Sequence, residues 1–392
     1  MDLFDKCNAF TRAREVQALG VYPYFIPLEQ TEGTEVVADG RRLIMVGSNN
    51  YLGLTTHPKV RSAAIEAVER YGTSCTGSRF LNGTLEIHRE LESKLAEFVG
   101  KEAALVFSTG FQVNLGTIAS LVGRQDIVIA DKEDHASIID GCLLSMGELK
   151  RFRHNSLSSL DKNLESCDPS AGKLVVVDGV FSMGGDIAPL SQIVEICDKH
   201  DARLMVDDAH SVGVLGGGRG TPAHFGVTDQ VDLIMGTFSK SFASLGGFIA
   251  GDASVIHFVQ HTARSLIFSA SMAPPSVAAA LAALEVMQDE PERIERLSAI
   301  AAKMLRGFKE LGFDTGASET PIIPVIIGAD TDMLMVWKSL FDAGIYVNAV
   351  LPPAVPPGKA LLRTSYMATH TDEQLDYVLD TFASVGRKMG II

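Results

Sequence analysis

The sequence predicts an α/β protein: a large domain on a mainly parallel sheet, then a smaller C-terminal α+β domain. Three observations predict it. Short aliphatic runs recur from Leu43 onward and are apolar on both faces, as strands covered on both sides of a sheet require. Helical patterns alternate with these runs over about 200 residues, which suits parallel strands joined by crossover helices. Near Ser276 the pattern changes to long helices followed by short apolar runs, a separate unit of roughly 100 residues.

In order, residues 1–42 read as an arm with a short polar helix and then "GVYPYFIPLEQ", which holds two prolines. The large domain is expected over 43–275. Its strands are "AALVFST" (Ala103–Thr109), "DIVIAD" (Asp126–Asp131), "KLVVVDG" (Lys173–Gly179), "ARLMVDD" (Ala202–Asp208) and "DLIMGT" (Asp232–Thr237). The best helix is "TLEIHRELESKLAEFVG": Thr84 is the expected N-cap, Ile87, Leu91, Leu95 and Phe98 share a face, and Gly100 is the expected stop. The small domain, 276–392, opens with "SVAAALAALEVM" and "PERIERLSAIAAKMLRGFKELG" as helix. It continues through "PIIPVIIG", "LMVWKSLFDAGIYV" and "KALLRTSYM".

Composition sets limits on function. A net charge of −14 argues against a general nucleic-acid binder, which needs a basic face. The five cysteines, Cys7, Cys75, Cys142, Cys167 and Cys197, are scattered and form no CxxC pair. That argues against a disulfide framework or a metal site and suits a reducing compartment. The N-terminus lacks the apolar core of a signal peptide, and no apolar run reaches the roughly 18 residues of a membrane span. A soluble, cytoplasmic protein is expected.

Ligands of parallel α/β sheets collect at the carboxyl ends of the strands. The first strand leads into "STGFQVN" (Ser108–Asn114), a glycine turn opening a helix. The second leads to His135, the third to Ser182, the fourth to Asp207, Asp208 and His210, and the fifth to "GTFSK" with Lys240. Each has a bland reading. His210 alone suits a hydrogen-bonded structural histidine, Asp207 suits a helix N-cap, and Gly110–Phe111 suits an ordinary helix start. "GVLGGGRG" (Gly213–Gly220) fits neither GxGxxG nor a P-loop and reads as a flexible loop, and His88 reads as structural.

Convergence on one edge is harder to dismiss. Pyridoxal 5′-phosphate (PLP) needs a lysine for its aldehyde and an acid for its pyridinium nitrogen. Asp207 would hold that nitrogen protonated, His210 would reach the phenolate oxygen, and His135 would lie on the ring face. Amides of Gly110 and Phe111 at a helix start favour a phosphate dianion. Thr237 and Ser239, flanking Lys240, add hydroxyls to the same phosphate.

These residues and their surroundings resemble the α-oxoamine synthases, a branch of the fold-type I PLP enzymes. The resemblance runs from "SNNYLGL" (Ser48–Leu54) through "GTSCTGSRFLNGTLEIHRELE", "HASIIDG", "DGVFSM", "VDDAHSVG", "GTFSKSFASLGGF" and "FSASMAPP" to "LLRTSYMATHT" (Leu361–Thr371). "GSRFLNGT", "MVDDAHSVGV" and "DLIMGTFSKSFASLGGF" are most similar to the serine palmitoyltransferases of that family. The resemblance implies the fold-type I architecture and a decarboxylative condensation of an amino acid with an acyl-CoA. Serine and palmitoyl-CoA, giving 3-ketosphinganine, are the expected pair, with glycine, alanine or a shorter acyl donor as the alternative. It also implies that Lys240 bonds the cofactor and then moves the Cα proton, and that His135 stacks on the ring and contacts substrate. Ser182 matches a residue near the phenolate, while Asn50, Ser78 and Arg363 match substrate contacts.

The family is a homodimer with shared sites, and "FSASM" (Phe268–Met272) matches the segment that reaches the partner's phosphate. Ala270 stands where many relatives carry threonine, leaving Ser269 or Ser271 to supply the hydroxyl. Leu351 stands where some serine palmitoyltransferases carry arginine before "PPAVPPG". Two other classes fare worse. A non-catalytic partner subunit would lack the lysine, and a nicotinamide dehydrogenase would need a glycine fingerprint that is absent.

Overall fold

A computed structural model describes residues 2–392. The chain divides into two compact units, one of residues 1–48 with 300–392 and one of residues 49–299. This differs from the boundaries expected after 42 and 275. The N-terminal segment is no separate arm, because Arg41–Met45 pairs antiparallel with Glu35–Ala38 and parallel with Ile345–Tyr346. The helix Pro274–Asp289 packs on Pro58–Tyr71 and Glu86–Val99, so it belongs with the large sheet. Its buried Ala279, Ala280, Ala282 and Ala283 allow that close approach.

The unit of residues 49–299 is built on seven strands: β1 (Ala103–Phe107), β2 (Ile127–Asp131), β3 (Glu148–Phe152), β4 (Lys173–Asp178), β5 (Arg203–Asp207), β6 (Leu233–Thr237) and β7 (Gly247–Gly251). Their order is β1-β7-β6-β5-β4-β2-β3. Only β7 opposes its neighbours, so the other strands share one direction. Five of these strands match the sequence expectation. The edge strand β3 reads "ELKRF", half-exposed and charged, while β7 reads "GFIAG", bracketed by glycine; neither looks like an aliphatic buried run. Val128, Val176, Met205 and Ile249 from the sheet pack with Val113, Ile118 and Ile138 from its helices in one core.

The other unit has a three-stranded antiparallel sheet, Ile322–Gly328, Ala360–Ser365 and Asn348–Val350. Phe308, Phe313 and Phe382 meet at centroid distances of 5.0 to 6.1 Å in its core. The closing helix Asp372–Lys388 is capped by Thr371 and Gln374, each side chain bonded to the other's backbone. Arg363 lies on the middle strand of this sheet, across from Pro324 and Asn348. Leu351 packs on the same core.

Two local expectations need correction. The helix predicted from Thr84 begins at Glu86 with Leu85 as its N-cap residue. Thr84 Oγ1 instead donates to the Arg79 carbonyl at 2.6 Å and accepts from Arg79 Nε at 3.1 Å. The glycine run 213–220 is a tight, partly buried turn rather than a loose loop, with Gly213, Gly218 and Gly220 buried and Gly217 and Arg219 exposed. Gly220 has a φ of +99° and its α-carbon packs against the Asp208 carboxylate, which accepts from Thr221 N at 2.8 Å.

His88 closes the start of the corrected helix. Its Nδ1 accepts from Leu85 N at 3.1 Å, and its Nε2 meets the Met272 carbonyl at 3.1 Å. That pair of partners requires the neutral Nε2–H tautomer. Burial, helped by the Arg79 charge, lowers its pKa to about 4. Because the folded pKa lies below the unfolded value near 6.5, the unfolded chain binds the extra proton between these values. Stability is therefore expected to fall as pH drops from about 6.5 to about 4, by on the order of 3 kcal/mol from this group. Urea unfolding of wild type and His88→Gln across that window checks it; the variant should show a shallower decline.

Candidate active site

The shared strand direction brings the turns after β1, β2, β4, β5 and β6 to one edge, where they line a cavity of about 270 Å³. Among its walls are Gly110, Phe111, His135, Ser182, Asp207, His210, Thr237, Ser239 and Lys240. All nine were expected at strand ends from the sequence, and the fold brings them together.

After β1, Thr109 caps the helix Gly110–Leu121 by accepting from Gln112 N at 3.2 Å. Thr237 Oγ1 sits so close to the first helical residue that a side chain at Gly110 would come within 2.6 Å of it. The helix start is thereby kept as bare backbone, with Thr237 and Ser239 hydroxyls 3.0 Å apart opposite it. Amide donors and hydroxyls facing one space are suited to an anion.

After β5, the Asp207 carboxylate is buried and fully assigned. Oδ2 accepts from Asn114 Nδ2 at 2.7 Å and Oδ1 from Ala209 N at 3.0 Å. Asn114 is itself fully buried, and its amide also donates to Ser137 Oγ at 2.8 Å. Three residues on, His210 Nδ1 lies 2.7 Å from the buried Tyr51 hydroxyl. In the tautomer where Tyr51 donates, Nε2 carries the proton and acts as donor.

After β2, His135 caps the helix Ala136–Leu144, its Nδ1 accepting from Ser137 N at 3.2 Å. Its ring stands edge-on to Phe111, centroids 6.3 Å apart. Burial by the cavity walls, with the Lys240 charge, lowers the His135 pKa, while Asp207 opposes this. Asp178 accepts from His135 N at 3.2 Å, and Asp134 accepts from Asp178 N at 2.9 Å. Burial raises the carboxyls of both well above the usual range; the charge of Asp131 adds to it at Asp134, and the charges of Asp207 and then Asp134 add to it at Asp178.

The remaining expected residues do not line this cavity. Ser269 accepts from Gln112 Nε2 at 3.0 Å, so it touches the helix that opens the anion cradle. Ser271 is tied by its amide to Gly77 O at 2.9 Å, and the Ser78 and Ser271 hydroxyls are buried without a hydrogen-bond partner. Asn50 bonds Thr55 Oγ1 and Leu54 N, which shapes the turn that presents Tyr51. Arg363 belongs to the other unit and is nearly fully buried there. Ala270 contributes only its carbonyl, which accepts from Ser108 Oγ.

Sequence reasoning missed Asn114, Ser137 and Tyr51. No local signal set Asn114 apart, because its helix also carries the polar Gln112, Thr117 and Ser120. PLP fits the donor set as it stands: an amine at Lys240, a held carboxylate at Asp207, a flat ring at His135 and a bare helix start facing two hydroxyls.

Asn114→Leu would leave Asp207 Oδ2 buried without its donor, a loss of about 1–3 kcal/mol. The variant is expected to unfold at lower urea and to lose PLP during dialysis that leaves wild type yellow. Urea titration and visible absorption after dialysis measure the two effects.

Comparison with known proteins agrees with this geometry. The aminotransferase class I and II family matches residues 41–382. The serine palmitoyltransferase of Sphingobacterium spiritivorum is 51% identical over 390 residues, covering 99% of this chain and 98% of that protein. The 8-amino-7-oxononanoate synthase of Symbiobacterium thermophilum is 45% identical over 375 residues, covering 95% and 96%. Among solved structures, a serine palmitoyltransferase from S. paucimobilis with a bound PLP–myriocin aldimine superposes with a TM-score of 0.97 at 40% identity, covering 100% of both chains. The family match over residues 41–382 and the full-length relatives, together with a cavity that gathers lysine, aspartate, histidine and a helix start, show that the chain belongs to the aminotransferase class I and II family, in its α-oxoamine synthase branch.

Proposed function

We propose that this protein condenses L-serine with a long-chain acyl-CoA, palmitoyl-CoA, to give 3-ketosphinganine, CoA and carbon dioxide. The observation that carries the reading is one cavity holding Lys240, Asp207, His135 and the Gly110 helix start together. Relatives at 48–51% identity over the full chain, named serine palmitoyltransferase, support the substrate pair.

PLP is the cofactor, and when bound it supplies an electron sink for the charge left at serine Cα. Lys240 holds the cofactor aldehyde at rest, and its amine removes the Cα proton and later returns one to the same carbon. Asp207, oriented by Asn114 and Ala209, keeps the ring nitrogen protonated. Amides of Gly110 and Phe111 with the hydroxyls of Thr237 and Ser239 hold the phosphate. His210 and Ser182 donate to the phenolate oxygen. His135 covers the ring face and hydrogen-bonds the substrate carboxylate or thioester oxygen. We assign Arg363, Asn50 and Ser78 to substrate, with the guanidinium binding the serine carboxylate as a fork. The net reaction joins serine Cα to the acyl carbonyl carbon as CoA and carbon dioxide leave.

We further assign a homodimer with shared sites, in which Ser269 or Ser271 reaches the neighbour's phosphate. Phe268, Leu81 and Phe80 support it, because they are 78%, 77% and 53% exposed and a second copy would cover them. Among the described residues no helix is long and apolar enough to cross a membrane. We place the protein in the cytoplasm, handling its lipid product from the membrane surface.

The test is CoA release by PLP-loaded protein over serine, glycine and alanine against acetyl-, succinyl-, pimeloyl- and palmitoyl-CoA. Release with serine and palmitoyl-CoA is expected. Lys240→Ala should be colourless and slower by about 10²–10⁴-fold. Release confined to alanine with pimeloyl-CoA would move the protein to the 8-amino-7-oxononanoate reading.

A further inference from the structure

His154 follows the edge strand β3, outside the cavity, in a stretch the sequence gives no reason to single out. Its two ring nitrogens both face carboxylates: Nδ1 lies 3.1 Å from Asp131 Oδ1, and Nε2 lies 2.9 Å from Asp186 Oδ2. The exposed Glu133 adds a third, at 3.8 Å from Nε2. A neutral imidazole carries one N–H and satisfies only one such acceptor, whereas the imidazolium satisfies both. Burial works against the charge, but the bonds to Asp131 and Asp186 outweigh it and raise the pKa of His154 to about 10.

The two carboxylates stand on two different turns. Asp131 ends β2 and starts the turn to His135; its own amide donates to Asp134 Oδ2 at 2.8 Å. Asp134 and Asp178 then carry the connection to the His135 amide. Asp186 closes the turn after β4, where its carbonyl accepts from Phe181 N at 3.0 Å and Gly185 N donates to the Phe181 carbonyl at 2.9 Å. Ser182 lies inside that turn. The His154 ring also meets Phe181 edge-on, with centroids 4.4 Å apart. Asn155, held at a φ of +48°, reinforces both links: its amide N donates to Asp131 Oδ2 at 2.9 Å and its Nδ2 to Asp186 Oδ2 at 2.8 Å.

We propose that His154 is a positioning residue: as an imidazolium shared by Asp131 and Asp186, it ties the turn carrying His135 to the turn carrying Ser182 and so sets two walls of the cofactor cavity. The proposal rests on the reading above that this cavity holds PLP. Without the cation, only Asn155 would bridge the two like charges of Asp131 and Asp186, and the two turns would loosen while the sheet beneath them stays intact.

The experiment compares wild type, His154→Gln and the double variant His154→Gln/Asp186→Asn. It reads hydrogen exchange with and without PLP, PLP affinity, and the pH titration of the visible band. His154→Gln should exchange faster in residues 131–135 and 181–186 but not in β4 or β5. Its PLP affinity should fall about tenfold, within the range produced by removing a coupled polar contact, and the midpoint of the visible band should shift. The double variant, which removes one of the two carboxylates left without their cation, should recover part of the protection. Wild-type exchange in both turns would overturn the proposal. So would loss of protection spread through β4 and β5, the mark of a general structural role. A wild type that binds no PLP would sink the functional reading alone, because exchange without cofactor still decides the role of His154.

Discussion

The arrangement depends on strand direction. Because β1, β2, β4, β5 and β6 run the same way, their carboxyl ends open onto one edge. Side chains from residues 109 to 246 then share a cavity of about 270 Å³. The antiparallel β7 fits between β1 and β6 because its first residue, Gly247, leaves only 2.9 Å between a would-be side chain and the Gly110 α-carbon. A larger residue there would push the helix start away from Thr237 and open the anion cradle.

Electrostatics at this edge follow from how the acids are held. Asp134, Asp178 and Asp207 are all buried, and each receives backbone or amide donors. Such donors let a carboxylate leave water without an orphaned lone pair. Asp207 is the one that faces the cavity with both oxygens assigned, which suits a fixed negative charge beside a cationic ring nitrogen. Asp134 and Asp178, driven toward their neutral forms, serve as connectors between turns. His154 supplies the positive charge at the far side of the same network.

Much of the site was legible in advance because its residues carry distinctive chemistry at predictable places. Lys240 after an apolar strand, Asp207 and His210 three apart, and glycine opening a helix can each be read locally. Asn114, Tyr51 and His154 could not, since their roles come from partners far away in the chain. Asn114 meets Asp207 across 93 positions, and Tyr51 meets His210 across 159. The unit boundaries were hidden for the same reason. Whether Arg41–Met45 belongs with residue 345 is decided by strand pairing, which no local pattern reports.

By itself, the sequence determined the α/β class, five of the seven large-sheet strands, and the set of groups able to hold an anion, a ring and an aldehyde. Periodicity and residue chemistry are local properties, so a linear reading captures them. The tertiary structure alone decided that these groups share one cavity, which donors hold each buried acid, and that His88 stays neutral while His154 is charged. Those outcomes depend on burial and on partners in three dimensions, and both histidines have the same intrinsic affinity for a proton until the fold surrounds them.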